Sequence, residues 1–422
     1  MNATPNIDML EATRLTREGR LAEAMAILQG GLPGTPSSAA SDNAGQDAGL
    51  RQPGRVPQFL DMMPPVSGGG AWTAPQFDPS HFNPAAFEGL AGGMAKPQVP
   101  EALRSFLDRM GQPGAMPGLD GLVGPLPNRA PAPLPDGARF EERTFANAAG
   151  SRTYKLYIPS GYTHQPVPLV VMLHGCTQSP DDFAAGTQMN AVAEEQTFLV
   201  AYPAQPQSAN VSKCWNWFNA GDQQRDQGEP SLIAGITRQI MSDFSVAPGR
   251  VYAAGLSAGG AAAAIMGSAY PDLYAAVGVH SGLACGAARD MPSAFTAMRQ
   301  GGAPYHSGAK QLVPTIVFHG DRDTTVNSIN GDQVIAQSKA GSELRSIVNR
   351  GQAPGGLSYT RTVESDDSGH AMLEHWVLHG AGHAWSGGSP MGSYTDPQGP
   401  DASREMMRFF LGHSRPMVTP SV

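Results

Sequence analysis

Between residues 137 and 414 the chain alternates short apolar runs with helix-patterned stretches, and few architectures accommodate that rhythm. Extended runs at 139–146 and 153–158 flank Asn147-Ala148-Ala149-Gly150-Ser151, a hairpin signal. The unbroken apolar run 168–173 suits a strand covered on both faces. Residues 181–196 read as a helix, 197–202 as a strand, 229–244 as a helix and 250–254 as a strand. A small-residue helix at 259–269 follows, then strands at 275–279 and 313–318, a last strand at 371–378 and a closing helix at 402–411. The fold class is therefore α/β, a mainly parallel sheet flanked by helices.

Composition sets the limits of this domain. Glycine and proline occupy 34 of the 106 positions from Gly31 to Asp136 but only 54 of the other 316. Such a segment buries too little apolar surface to offset chain entropy, so 31–136 reads as a mostly disordered linker. Ahead of it, Leu21, Met25 and Leu28 fall on one helical face, with Ile7 and Leu10 beginning an earlier turn. Residues 1–30 thus contain an amphipathic helix. It either packs on its own α/β domain or docks on a partner or an apolar surface. The remaining units are the α/β domain at 137–414 and a tail at 415–422.

The net charge of −8 argues against a nucleic-acid partner. No apolar run approaches the ~20 residues of a membrane helix. The start lacks the basic and apolar regions of a secretory signal, so the sequence points to a cytoplasmic or non-classically exported protein. Cys176, Cys214 and Cys285 are too few for a zinc cage and allow at most one bridge.

Gly255-Leu256-Ser257-Ala258-Gly259 matches G-x-S-x-G, a motif that is informative only between a strand and a helix. It has that context here. The turn leaves no room for bulky neighbours, lifts the Ser257 hydroxyl above the sheet and aims the Ala258 N–H at a reacting oxygen. A serine needs a base, and the base needs an acid to hold its tautomer. In α/β-hydrolases the chain order is Ser, acid, His. The strand 313–318 runs into His319-Gly320-Asp321-Arg322-Asp323, where Asp323 lies further into the loop and is the preferred acid; Asp321 is the alternative. The last strand leads into His379-Gly380-Ala381-Gly382-His383, which makes His383 the base ahead of His370, His375 and His379. A second oxyanion donor is expected in Leu173-His174-Gly175-Cys176, from the Cys176 backbone. Trp215 and Trp217, in a long connection, either line a substrate wall or belong to the core. This chemistry requires no metal or organic cofactor.

Five segments then fall into one pattern: Leu173-His174-Gly175-Cys176-Thr177-Gln178, Cys214-Trp215-Asn216-Trp217-Phe218, Gly255-Leu256-Ser257-Ala258-Gly259-Gly260, His319 to Val326, and Gly382-His383-Ala384-Trp385-Ser386-Gly387-Gly388. Together they resemble the polyhydroxybutyrate depolymerase family of esterases in the α/β-hydrolase superfamily, over about residues 137–414. The resemblance implies a carboxylic-ester hydrolase with Ser257, Asp323 and His383 as triad, Cys176 and Ala258 as oxyanion donors, and a substrate contact for at least one of Trp215 and Trp217. The implied partner is an ester substrate, possibly polymeric. Feruloyl and acetyl-xylan esterases are similar, so the motifs constrain chemistry more closely than substrate. A reading of another class is a non-catalytic granule- or surface-binding protein anchored by residues 7–29.

Overall fold

The computed structural model describes residues 133–302, 312–339 and 341–415. The expected N-terminal helix and linker, and the tail beyond residue 415, lie outside the described residues.

The hairpin β1 (Arg139–Asn147) and β2 (Gly150–Ile158) opens the domain, its turn held by Ala149 N–H donating to Asn147 Oδ1 at 2.8 Å. Next come β3 (Val167–Leu173), α1 (Pro180–Thr187), α2 (Met189–Gln196) and β4 (Leu199–Pro203). After a long connection follow α3 (Gly228–Asp243), β5 (Val246–Leu256), α4 (Ala258–Ala269) and β6 (Ala276–His280). The chain continues through α5 (Met291–Gln300), β7 (Thr315–Gly320), α6 (Ile329–Lys339), β8 (Arg345–Gln352), β9 (Ser358–Ser365) and β10 (Ala371–Leu378). It ends with a two-residue ladder, β11 (Trp385–Ser386) with β12 (Thr395–Asp396), and α7 (Ala402–Leu411).

Ten strands form one sheet in the order β1-β2-β4-β3-β5-β6-β7-β10-β9-β8. The six central strands, β4 to β10, are parallel, and an antiparallel hairpin closes each side. From β3 the chain moves outward to β4, then returns across β3 to β5. That reversal opens a crevice at the carboxyl ends of β3 and β5, where open α/β sheets bind ligands.

The central strands read as unbroken apolar runs because both faces are covered. In β3, Leu169, Val171 and Leu173 join one core with Ile233 and Ile236 of α3 and Ile265 and Met266 of α4. Val170 and Met172 point the other way, among Phe183 of α1, Val192 of α2 and Met406 and Phe410 of α7.

Several expectations need correction. The helix expected over 181–196 is two helices, because Gln188 takes the left-handed conformation (φ 56°) and its N–H returns to Ala184 O at 3.1 Å. No glycine or proline marks that break. The strand expected at 250–254 runs from Val246 to Leu256. β10 is not the last strand, since β11 and β12 follow it. The outer strand β8, exposed along nearly its whole length, lacks the alternation that would reveal a half-buried strand.

Candidate active site

Ser257 ends the turn between β5 and α4 with φ 58° and ψ −119°, a backbone state that a residue with a Cβ holds only when its surroundings impose it. Two features impose it here. Ser257 N–H donates to His280 O at 2.9 Å, tying the turn to the end of β6. On the other side, the first turn of α4 lies against the end of β3: a Cβ on Gly259 would stand 1.9 Å from Leu173 O and 2.6 Å from His174 O. Both obstacles are backbone. Helix propensity alone credits Gly259→Ala with up to about 1 kcal/mol of stability. The contact reverses the sign, and we expect Gly259→Ala to lose about 4 kcal/mol, the range reserved for severe core disruption. The urea midpoint measures it; a variant as stable as wild type would mean that the elbow is looser than described.

The same proximity brings the loop after β3 to the serine. A Cβ on Gly175 would lie 3.7 Å from Ser257 Cβ. The loop is held by its own polar groups. Gly175 N–H donates to Gln178 Oε1 at 2.9 Å, and Gln178 Nε2 donates to Asp182 Oδ2 at 2.9 Å. Gln205 N–H donates to His174 Nε2 at 3.1 Å, so Nδ1 carries the proton and donates to Gly175 O at 2.7 Å. Burial brings His174 down to about 4, against the opposing pull of that carbonyl, so the ring is neutral. Thr177 N–H is taken by Ser212 O at 2.7 Å. Cys176 N–H, by contrast, has no acceptor among the described residues, and Ala258 N–H opens a helix and has no intrahelical partner. Cys176 itself is bridged to Cys214, leaving Cys285 as a buried free thiol.

The acid and base arrive on adjacent parallel strands. β7 delivers Asp323, whose side chain is wholly buried. Its Oδ1 accepts from Thr325 N–H at 2.9 Å and Val326 N–H at 2.8 Å, and its Oδ2 accepts from His383 Nδ1 at 2.7 Å. Burial by itself would raise this carboxyl. The neighbouring His383 charge and the hydrogen bonds from His319, His383 and Val326 outweigh it, and Asp323 sits well below the ordinary carboxylate range. Asp321, the alternative acid, does different work: its Oδ1 accepts from Gly380 N–H at 2.7 Å and its Oδ2 pairs with His379 Nδ1 at 2.9 Å, both at the surface. It staples the end of β7 to the loop that carries His383. The two loops meet closely, since a Cβ on Gly320 would stand 2.3 Å from Ala381 O.

The structure therefore joins Asp323 to His383 and Ser257 to the Cys176 loop. No hydrogen bond links Ser257 Oγ to His383. What spans them is His280, a residue that sequence reasoning missed. Its backbone oxygen holds Ser257 N–H, and its Nε2 accepts from Ser386 N–H at 3.0 Å, three residues beyond His383. The ring stacks between Phe318 and Trp385 and is fully buried. Burial, with the charges of His319 and His383, brings it down to about 3, so it stays neutral and its Nε2 stays an acceptor. A histidine that ends an apolar strand carries no periodic signal that would have identified it.

Trp215 and Trp217 do not form an exposed wall. They are 0% and 6% exposed and lie in the core beside α3 and α4. Burial of two large rings under a long connection decides this, and the indole N–H of Trp215 is spent on His174 O at 3.1 Å. Among the described residues no cluster of His, Cys, Asp or Glu is arranged to hold a metal ion, and no helix is long and apolar enough to cross a membrane.

A polarised acid–histidine pair, a serine on a strained turn and two free N–H groups beside it are the parts for attack on a carbonyl carbon. Residues 152–345 match the family described as Esterase PHB depolymerase. Poly(3-hydroxyalkanoate) depolymerase C of Paucimonas lemoignei is 30% identical over 57% of this chain and 60% of its own length, so the chain spans less than two thirds of that relative. Feruloyl esterase B of Thermothelomyces thermophilus is 28% identical over 54% of this chain and 82% of its length. The fold is shared with an acetyl xylan esterase from Aspergillus awamori, with a TM-score of 0.52 and 18% identity over 65% of this chain and 99% of that one.

Proposed function

We propose, from the match of residues 152–345 to the family described as Esterase PHB depolymerase, that the chain is a serine carboxylic-ester hydrolase acting on polyhydroxyalkanoate or short hydroxyacid esters. The observation that carries the reading is the buried 2.7 Å contact between Asp323 and His383, set beside a serine on a strained turn.

The steps follow from the groups present. His383 Nε2 takes the Ser257 proton as Oγ bonds to the ester carbonyl carbon. Asp323 accepts the Nδ1–H and stabilises the imidazolium. The oxygen of the tetrahedral intermediate receives the N–H groups of Cys176 and Ala258, a donor of this kind being worth about 3 kcal/mol. Collapse expels the alcohol, which leaves with the proton from His383. Water then attacks the acyl-enzyme with His383 again as base, and collapse returns the proton to Ser257 and frees the acid.

A feruloyl or acetyl-xylan type of substrate is the second reading, favoured by the fuller coverage of the feruloyl esterase relative. Residues 7–29 add a docking element for a polymer or another apolar surface, supported by the spacing of Leu21, Met25 and Leu28. One experiment separates these. Purified chain, with and without residues 1–30, is assayed on hydroxybutyrate oligomers, a polyhydroxybutyrate film, feruloylated and acetylated sugars and a short aryl ester. We expect oligomers and aryl ester to be cleaved by both forms, and the film only by the longer form. An organophosphonate is expected to label Ser257. Preference for feruloylated sugars would transfer the assignment to the second reading, and the absence of both turnover and labelling would refute the esterase reading itself.

A further inference from the structure

Glu229 reads from sequence as no more than a residue at a helix start, yet it is the hub of a buried polar network behind the oxyanion loop. It begins α3 and is only 6% exposed. Its Oε2 accepts from Asn216 N–H at 2.7 Å. Its Oε1 accepts from Asn216 Nδ2 at 2.7 Å and from Gln205 Nε2. Arg152 stands 3.7 Å away, and Asp222 Oδ1 receives Glu229 N–H at 2.8 Å. Among the described residues no other acidic side chain gathers three amide donors in the interior, and none of these contacts is part of the ester chemistry.

Both arms of the network end on the oxyanion loop. Through one, Gln205 holds its backbone N–H on His174 Nε2 while its side-chain amide donates to Glu229 and to Cys214 O at 2.9 Å. Through the other, Asn216 fixes the segment whose Trp215 indole holds His174 O and whose Cys214 is bridged to Cys176. His174 and Cys176 flank Gly175, so both ends of the tripeptide that presents the Cys176 N–H are referred back to one carboxylate. We propose that Glu229 is a positioning residue for the oxyanion hole, holding the Cys176 N–H in register with Ser257. The inference rests on the esterase reading above.

The burial of the charge fits a group retained for geometry. Burial and the nearby Asp222 push the Glu229 carboxyl up to about 7, against the hydrogen bonds of Asn216 and Gln205 and the charge of Arg152. Such a group is poor value for stability. Above that pH the carboxylate is, however, acceptor-only and meets all three donors at once, whereas an amide has one acceptor oxygen and must turn an N–H₂ toward one of them.

Glu229→Gln therefore shifts the aromatic segment and, with it, the oxyanion loop. Donor misplacement affects the transition state rather than substrate binding. We expect kcat on a short aryl ester to fall by about tenfold to a hundredfold with KM within twofold, and affinity for an alkyl boronic acid, which forms a tetrahedral adduct on Ser257, to fall by a similar factor. Glu229→Asp, which keeps the charge, is expected to recover most of the loss. Asn216→Ala, which removes one donor and leaves the carboxylate, is expected to lose about threefold to tenfold in kcat and supplies the same readout if Glu229→Gln does not fold. A rise in KM alone, or unchanged boronate affinity in these variants, would overturn the proposal. A wild-type chain that neither turns over esters nor binds the boronate would instead overturn the esterase reading.

Discussion

Ser257→Ala is expected to lower kcat on a short aryl ester by about 10⁵- to 10⁶-fold and to leave the protein folded. The size follows from what remains. Without Oγ there is no acyl-enzyme, and what remains, the oxyanion donors and substrate binding, leaves about 10³- to 10⁴-fold over water. The fold is spared because alanine keeps the Cβ that already sits at φ 58°, so the strain of the turn is unchanged. The hydroxyl itself makes no hydrogen bond among the described residues. Steady-state kinetics, a phosphonate burst and a melting curve check the three parts. Turnover near that of wild type would place the nucleophile elsewhere.

Asp323→Asn is expected to cost about 10⁴-fold in kcat, for a reason the hydrogen bonds dictate. Thr325 and Val326 aim two N–H groups at one oxygen of residue 323, so an asparagine must turn its carbonyl to them. Its N–H₂ then faces His383 Nδ1, which must accept. The proton moves to Nε2, and the ring can no longer take the Ser257 proton. Asp321→Asn makes the internal control: that carboxylate serves His379 and Gly380 at the surface, and a change under tenfold is expected. The pH dependence has a definite sign. The Asp323 carboxyl lies below its usual value of 3.8, so its stabilising contribution is complete above that value and is lost as the pH falls through the folded-state value. Relative to Asp323→Asn, wild type therefore loses stability on acidification below pH 3.8. Urea midpoints at neutral and acid pH measure this, and a difference that stays constant or grows in acid would reject the ion-pair account.

Much of this site was legible in the sequence because its parts are turn chemistry. Gly255, Gly259 and Gly320 stand where backbone meets backbone, and Asp323 and His383 stand in the loops just beyond strands. Turn geometry is local, and local geometry leaves a local signature. Those parts of the site that are held from a distance left none. Glu229 lies 55 residues beyond His174 and 53 beyond Cys176, and only folding brings their partners together. The Cys176–Cys214 bridge stood open among three pairings for the same reason. Trp215 and Trp217 stayed open between two readings because an aromatic cluster in a long connection suits a wall and a core equally well until burial decides. The break at Gln188 was hidden because a glutamine in the left-handed region carries no marker of it.

The strained turn at Ser257 has a consequence for how such a chain changes over generations. Holding a residue with a Cβ there costs of order 1–3 kcal/mol that glycine would not incur. Selection for stability and selection for turnover therefore pull this position in opposite directions. In a lineage released from the need to cleave its substrate, glycine becomes the cheapest occupant of position 257. Retention of a serine there, between Gly255 and Gly259, is what selection for turnover predicts.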